Sequence, residues 1–399
     1  WSPRGHAIRD YLTRNQVPYT WLDPEAEEEG RRLADALGAD PATPTVLLPD
    51  GTTLSDPSNR ELADRIGLST HAALPFYDLV IVGGGPAGMA AAVYGASEGL
   101  ATLLVEREAP GGQAGTTSRI ENYLGFPSGL SGADLARRAL TQARRLGAEL
   151  LASQEVRTIR RNDPYRTVVL EDGAEVSCQA VVISTGVAYR QLQLDGADRL
   201  AGAGLYYGAA TTDAILHRGA QVAVVGGGNS AGQAAVHLSR YAERVHLIVR
   251  GGALSGMSQY LVDQIAAVPT IEVRTNASVS AVHGSERLEG ITLETADGPM
   301  ELPLGACFIF IGQQPHTDWL EGVVARDPGG FLLTGDELET DGRLPAGWGL
   351  RRRPFFLETS LPGAFAAGDV RHRSVKRIAS AVGEGAMAVQ LVHQYLLSV

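Results

Sequence analysis

YDLVIVGGGPAGMAAAVYGASEGLATLLVE, residues 77–106, decides the fold. An apolar run ends in glycines, an Ala-rich stretch follows, and a second apolar run closes on Glu106. This predicts strand, tight turn, helix and strand, a βαβ unit. Gly83, Gly85 and Gly88 fit G-x-G-x-x-G. The first glycine permits the turn, the second lets backbone approach a pyrophosphate, and the third lets helix pack on strand. The helix start after them, at Pro86 and Ala87, presents free amides to an anion. Glu106 stands where an acid accepts hydrogen bonds from a ribose diol.

The pattern returns in AQVAVVGGGNSAGQAAVHLSRYAERVHLIVR, residues 220–250, with Gly226, Gly228, Asn229, Ser230 and Ala231 forming G-x-G-x-x-A. Two such units predict two doubly wound Rossmann-like α/β domains, each with a dinucleotide site. The second copy ends at Arg250 rather than at an acid. An arginine there pairs with a 2′-phosphate, which predicts NADPH, with NADH or another dinucleotide as alternatives.

Outside these units three stretches carry further information: GGQAGTTSRIENYLGFP (111–127), ISTGVAYR (183–190) and AFAAGDVRHRSVKRIASAVGEGAMA (364–388). With VIVGGGPAGMAAA they resemble, in order, the low-molecular-weight thioredoxin reductase family of flavoproteins, from about residue 76 to the end. The resemblance implies FAD on the first turn and NADPH on the second. It implies FAD contacts from Gly112, Gln113, Asn122, Val156, Gly368, Asp369, Arg377, Ile378 and Ala379, with Thr185 and Gly186 at the crossing between domains. It further implies a homodimer whose dinucleotide domains rotate between electron-transfer steps. Asp369 is placed to orient ribitol hydroxyls. The amides near Ile378 and Ala379 face an edge where negative charge develops on reduction.

One departure is decisive. The family carries a CATC-like dithiol shortly before its second glycine turn, and here that segment is Ala209-Ala210-Thr211-Thr212. Ala209 and Thr212 replace the cysteines, so the usual thiol relay is excluded. The chain has two cysteines, Cys178 and Cys307, both in apolar strand-like runs and expected to be inert. Tyr206 and Tyr207 precede the altered segment and are expected to pack rather than stack on the flavin.

The first 70 residues read as a small α/β module: helix over 6–15, strand over 17–23, helix over 24–37, strand over 43–51 and helix over 57–66. Residues 70–76 read as a linker. Pro44 in TPTV resembles the cis-proline strand of thioredoxins, and Ser2 and Gly5 fall where a thioredoxin WCxxC would be, so a redox-inactive thioredoxin-like domain is expected. The first residue is Trp1 and no strand precedes it, so an incomplete start is expected. The expected domains are thus 1–70; 76–190 with 310–399 for FAD; and 191–309 for NAD(P).

Of 399 residues, 44% are hydrophobic and 20% charged, with a net charge of −11. That balance disfavours nucleic acid as a partner. No spanning apolar run, signal-peptide core or metal-spaced His/Cys set occurs, so a cytoplasmic, metal-free protein off the membrane is expected. Arg351, Arg352 and Arg353 are read either as an attraction for an acidic partner or as a solvated loop, and His372 as a candidate proton carrier. The leading expectation is an FAD oxidoreductase that takes hydride from NAD(P)H and passes electrons directly to an acceptor: a ferredoxin- or flavodoxin-like protein or a quinone. The alternatives are a non-catalytic flavin-bound sensor or scaffold, and a reductase that uses a partner's cysteines.

Overall fold

The computed structural model describes residues 3–40, 43–117, 120, 122–201, 203–207 and 217–398. The chain forms two compact units, residues 1–187 with 315–399, and residues 188–314, so it passes between them twice. The N-terminal segment belongs to the first unit.

The first unit is built on a mixed sheet. Its strands run Glu149–Leu151, Thr102–Val105, Phe76–Val82, Glu175–Ile183, Tyr165–Leu170 and Val156–Asn162, and Ala364–Ala366 also pairs with Glu175–Ile183. Pairing is parallel on the glycine-turn side and antiparallel through the 156–178 meander. The central strands are apolar on both faces because both faces are covered. Helix Pro86–Ser97 has no polar face either. Ala87–Ala92 and Gly95 are buried, since the helix is enclosed between the sheet and other helices. Helix Gly132–Leu146 is amphipathic instead. Its start is fixed by the Ser131 side chain, which accepts from Asp134 N at 3.0 Å, and its end by Gly147 at φ 100°.

The second unit repeats the parallel plan with strands Leu205–Tyr207, Ala306–Ile309, Gln221–Val225, Arg244–Val249 and Ile271–Thr275. A three-stranded antiparallel sheet, Ser278–His283, Gly290–Thr295 and Gly298–Pro303, completes it. The doubly wound α/β class read from the glycine turns is what the chain adopts.

The N-terminal segment departs from its expected plan. Helices Pro3–Arg14, Glu28–Leu37 and Asn59–Arg65 form near their expected places. Residues 17–23, expected as a strand, form no regular element and join no sheet. Thr45–Leu47 pairs with Thr53–Ser55 as a two-stranded hairpin, and among the described residues no third strand joins it. Residues 17–23 instead lie along the first helix. Thr13 Oγ1 and Tyr19 Oη are 2.9 Å apart, Arg9 Nε donates to Tyr19 Oη at 3.2 Å, and the Arg9 guanidinium lies over Trp21. Among the described residues the cis peptide is Asp163–Pro164, so Pro44 follows a trans bond and lacks the expected thioredoxin feature. Gly5 lies in the first helix and is buried, and Ser2 lies outside the described residues.

The arginine cluster is structural in part. Arg352 forms a two-pronged pair with fully buried Glu358, at 2.6 and 2.9 Å, and stacks on Phe355. Glu358 also accepts from Phe355 N and Gly363 N. Removing the arginine would leave a carboxylate in the core short of its countercharge. Arg352→Ala is therefore expected to lose roughly 3 kcal/mol of stability in urea unfolding. Exposed Arg351→Ala should change it by less than about 0.5 kcal/mol; equal losses would reject this division.

Candidate functional site

The first site grows from the strand Phe76–Val82. Gly83 ends it at φ 102°, and a Cβ there would meet Ser184 O at 2.6 Å. Ser184 Oγ donates to Val82 O and Gly83 O, at 3.1 and 2.9 Å, and locks the turn from the neighbouring strand. Gly88 packs so closely that a Cβ would sit 1.9 Å from Gly83 O. At Gly85, the N-cap, a Cβ would meet nothing within 4 Å, so the helix start faces open space.

Three other segments meet this turn. Gly111 N donates to Gly84 O at 2.7 Å, and Gly112 lies against Gly85, which brings the 111–113 segment over the glycines. Gln113 Nε2 donates to Val187 O, reaching the 185–187 crossing, where Thr185 Oγ1 donates to His316 O and His316 N to Gly186 O. Gly368 lies against Ala87 and Ala381, and a Cβ at Gly385 would be 2.1 Å from Ala87 O. The starts of helices Pro86–Ser97 and Ile378–Leu396 are thereby held together with Asp369. Helix N-termini held in one region suit the anionic parts of a dinucleotide.

Glu106 lies at the far end of the turn and is 9% exposed. Its Oε2 accepts from Gly84 N at 2.6 Å and its Oε1 from Glu108 N at 2.7 Å. Burial pushes its pKa up, against the pull of those two amides. Each oxygen keeps a lone pair for a further donor, as a ribose diol requires. Burial likewise raises the Asp369 carboxyl, while Lys376 draws it down.

The other expected residues sit on neighbouring segments. Val156 turns its side chain into the core, so only its main chain is free to meet a ligand. Asn122 is exposed on the excursion closed by the Ile120–Leu130 bridge. Arg377 is the exposed N-cap of the last helix and donates to Lys376 O. Ile378 and Ala379 open that helix, with Ala379 exposed.

Three residues were not legible beforehand. Arg371 pairs with Glu384 at 2.7 Å, and Glu384 also accepts from Gly368 N, so the pair pins the Gly368–Asp369 segment to the last helix. Lys376 Nζ donates to Asp369 O and Ser374 Oγ beside Phe331, and its burial lowers its pKa. The only signal was opposite charges near a Gly-Asp motif. His372 is 2.8 Å from Glu337, a surface-side pairing.

In the second unit Gly226 ends strand Gln221–Val225, and a Cβ there would meet Phe310 O at 2.5 Å. Gly228 caps helix Asn229–Leu238, with nothing within 4 Å of a Cβ. Asn229 Oδ1 accepts from Ser258 N and Oγ, Ser230 is exposed and Ala231 is buried. Arg250 is exposed just after strand Arg244–Val249. Tyr206 stacks on Phe308 at 5.2 Å, and Tyr207 Oη accepts from Leu192 N, so both tyrosines pack.

Cys178 and Cys307 are fully buried, one in each unit, and burial pushes both thiols up to about 12. Neither forms thiolate near neutral pH. Ala209 and Thr212 lie outside the described residues. Among the described residues no group of side chains could hold a metal, and no helix is long and apolar enough to cross a membrane.

This fold and paired glycine turns define a two-dinucleotide flavin enzyme. The family model of pyridine nucleotide-disulphide oxidoreductases matches residues 77–385, and the chain belongs to that family. A thioredoxin reductase of Listeria monocytogenes is 33% identical over 80% of this chain and 94% of its own length. A 34.2 kDa protein in a rubredoxin operon of Clostridium pasteurianum is 30% identical over 80% of this chain and 97% of its own. The solved thioredoxin reductase of Streptococcus pyogenes aligns with TM-score 0.68 and 31% identity, covering 82% of this chain and 99% of that one. The protein is thus an FAD-dependent NAD(P)H oxidoreductase of thioredoxin reductase-like type, a group that uses FAD and NADPH.

The closest backbone approach in the site gives a direct test. Gly88→Ala must displace either Gly83 or the helix, so the variant is expected to purify with less than half the wild-type flavin at unchanged far-UV CD. Full flavin occupancy would show that the turn does not need this approach.

Proposed function

We propose that these 399 residues take hydride from NADPH onto bound FAD and hand the electrons straight to an external acceptor, with no protein dithiol between. The observation that carries this reading is the pairing of two intact glycine turns with the lack of any usable thiol. The sequence has Ala209 and Thr212 at the relay, and its two cysteines are buried and held protonated.

Bound FAD supplies the chemistry, accepting a hydride and releasing its electrons. The residues hold it. The amides of Ala87 and Gly88, at the helix start behind Gly85 and Pro86, bind the pyrophosphate. Glu106 accepts from the adenosine ribose, beside Gly83, with the main chain at Val156 near the adenine. Gly368 and Asp369 orient the ribitol chain, and the amides of Ile378 and Ala379 stabilise charge on the ring edge. Gly112, Gln113, Asn122 and Arg377 border the ring, with Thr185 and Gly186 at the crossing. In the second unit Gly226, Gly228, Asn229, Ser230 and Ala231 bind the nicotinamide dinucleotide, and Arg250 meets its 2′-phosphate. The acceptor is a small redox protein or a quinone. The setting of one relative in a rubredoxin operon supports the former. A homodimer is part of this reading.

Anaerobic mixing with NADPH, followed by flavin absorbance, is the test. Bleaching by NADPH faster than by NADH is expected, and Arg250→Ala should weaken NADPH binding by roughly tenfold, as for loss of one charge-assisted contact, while leaving NADH alone. A flavin that neither nucleotide bleaches would reject the hydride-donor role of the second turn.

A further inference from the structure

The family match begins at residue 77, so the N-terminal helices and hairpin lie ahead of it. Their contacts with the first unit converge on one place. Glu106 depends on two neighbours. Its side chain accepts from Glu108 N, and its main-chain carbonyl accepts from Gln154 N at 3.1 Å. The N-terminal segment grips both.

On the Glu108 side, buried Asn15 spans the gap. Its Nδ2 donates to Tyr11 O at 3.0 Å and to Glu108 O at 3.2 Å. Arg14, the last residue of the first helix, lies 3.8 Å from the Glu108 carboxylate. Its Nε is buried without a partner among the described residues, and its charge favours the ionised form of Glu106. On the Gln154 side, Tyr11 Oη and Ser153 Oγ are 2.5 Å apart, with Ser153 at φ 53°. Ala152 N donates to Ser69 O at 2.9 Å. Gln154, 2% exposed, donates to Thr70 O and, at 3.1 Å, to Asp172, which Arg60 also meets. Buried, satisfied polar contacts of this kind fix geometry more than they add stability.

We infer that the helix Pro3–Arg14 and its successor Asn15 brace the adenosine end of the FAD site, with Tyr11, Arg14 and Asn15 acting as positioning residues through the 106–108 and 152–154 loops. The inference rests on the reading of Glu106 as the ribose acceptor. The segment thereby supports the cofactor site from behind the two loops rather than lining it. Its work is to hold the acid in place, so that FAD stays bound through many turnovers.

The test uses the full-length holoprotein. FAD release on dilution is followed by the rise of free-flavin fluorescence for wild type, Asn15→Leu, Glu106→Gln and the double variant. Asn15→Leu is expected to release FAD roughly tenfold faster, the effect of losing one buried hydrogen bond. The rate at which NADPH bleaches the flavin still bound should be unchanged. In the Glu106→Gln background the Asn15 effect should largely vanish, because both act on one contact. Tyr11→Phe, which removes a single hydroxyl, gives the same readout if Asn15→Leu does not fold. Unchanged release, or an effect that simply adds to that of Glu106→Gln, overturns the brace while leaving the FAD site standing. A wild-type protein that takes up no FAD overturns the site reading, and the brace with it.

Discussion

The structure depends on how closely two helices approach near their N-termini. Ala87, on the helix after the first glycine turn, touches Gly368 and has Gly385 against its carbonyl. Any side chain at Gly385 would push the last helix away, and with it the Gly368–Asp369 segment. The site draws on the 83–88 turn, the 111–113 loop, the 185–187 crossing and the 368–379 segment. Only the small residues at those crossings let so distant a set of residues face one space. The Arg371–Glu384 pair then fixes the approach electrostatically, since Glu384 holds both the arginine and the Gly368 amide.

That constraint explains what was legible. Glycine turns could be read because close backbone approach tolerates one residue type, and a strand on each side fixes their meaning. Gly83, Gly85, Gly88, Glu106, Gly226 and Gly228 lie at strand ends and helix starts as such turns demand. The doubly wound class followed from them. The arginine cluster was readable only as charge; pairing of Arg352 with Glu358 needs the loop to fold back, and no periodicity signals that. Residues 17–23 were misread because an extended apolar run says nothing about whether a neighbouring strand exists to pair with it. Fully buried Arg166, which donates to Pro362 O and Tyr395 Oη, was invisible for the same reason: its partners lie 196 and 229 residues away.

Chemically, the first turn is surrounded by groups that bind and orient. Among the described residues, the groups named around the first turn are amides, hydroxyls, carboxylates, guanidinium groups and one partly buried lysine. None of them can carry electrons. The two thiols of the sequence are sealed inside sheets. The N-terminal segment is tied to both loops that flank Glu106.

The number of electrons the holoprotein accepts tests this account most directly. A relay flavoenzyme stores one pair on the flavin and another on its dithiol. Stepwise anaerobic reduction with dithionite, monitored by flavin absorbance and by titration of accessible thiols, is predicted to end at two electrons per FAD with no new thiol exposed. An endpoint of four electrons per FAD, with two thiols appearing, would contradict it.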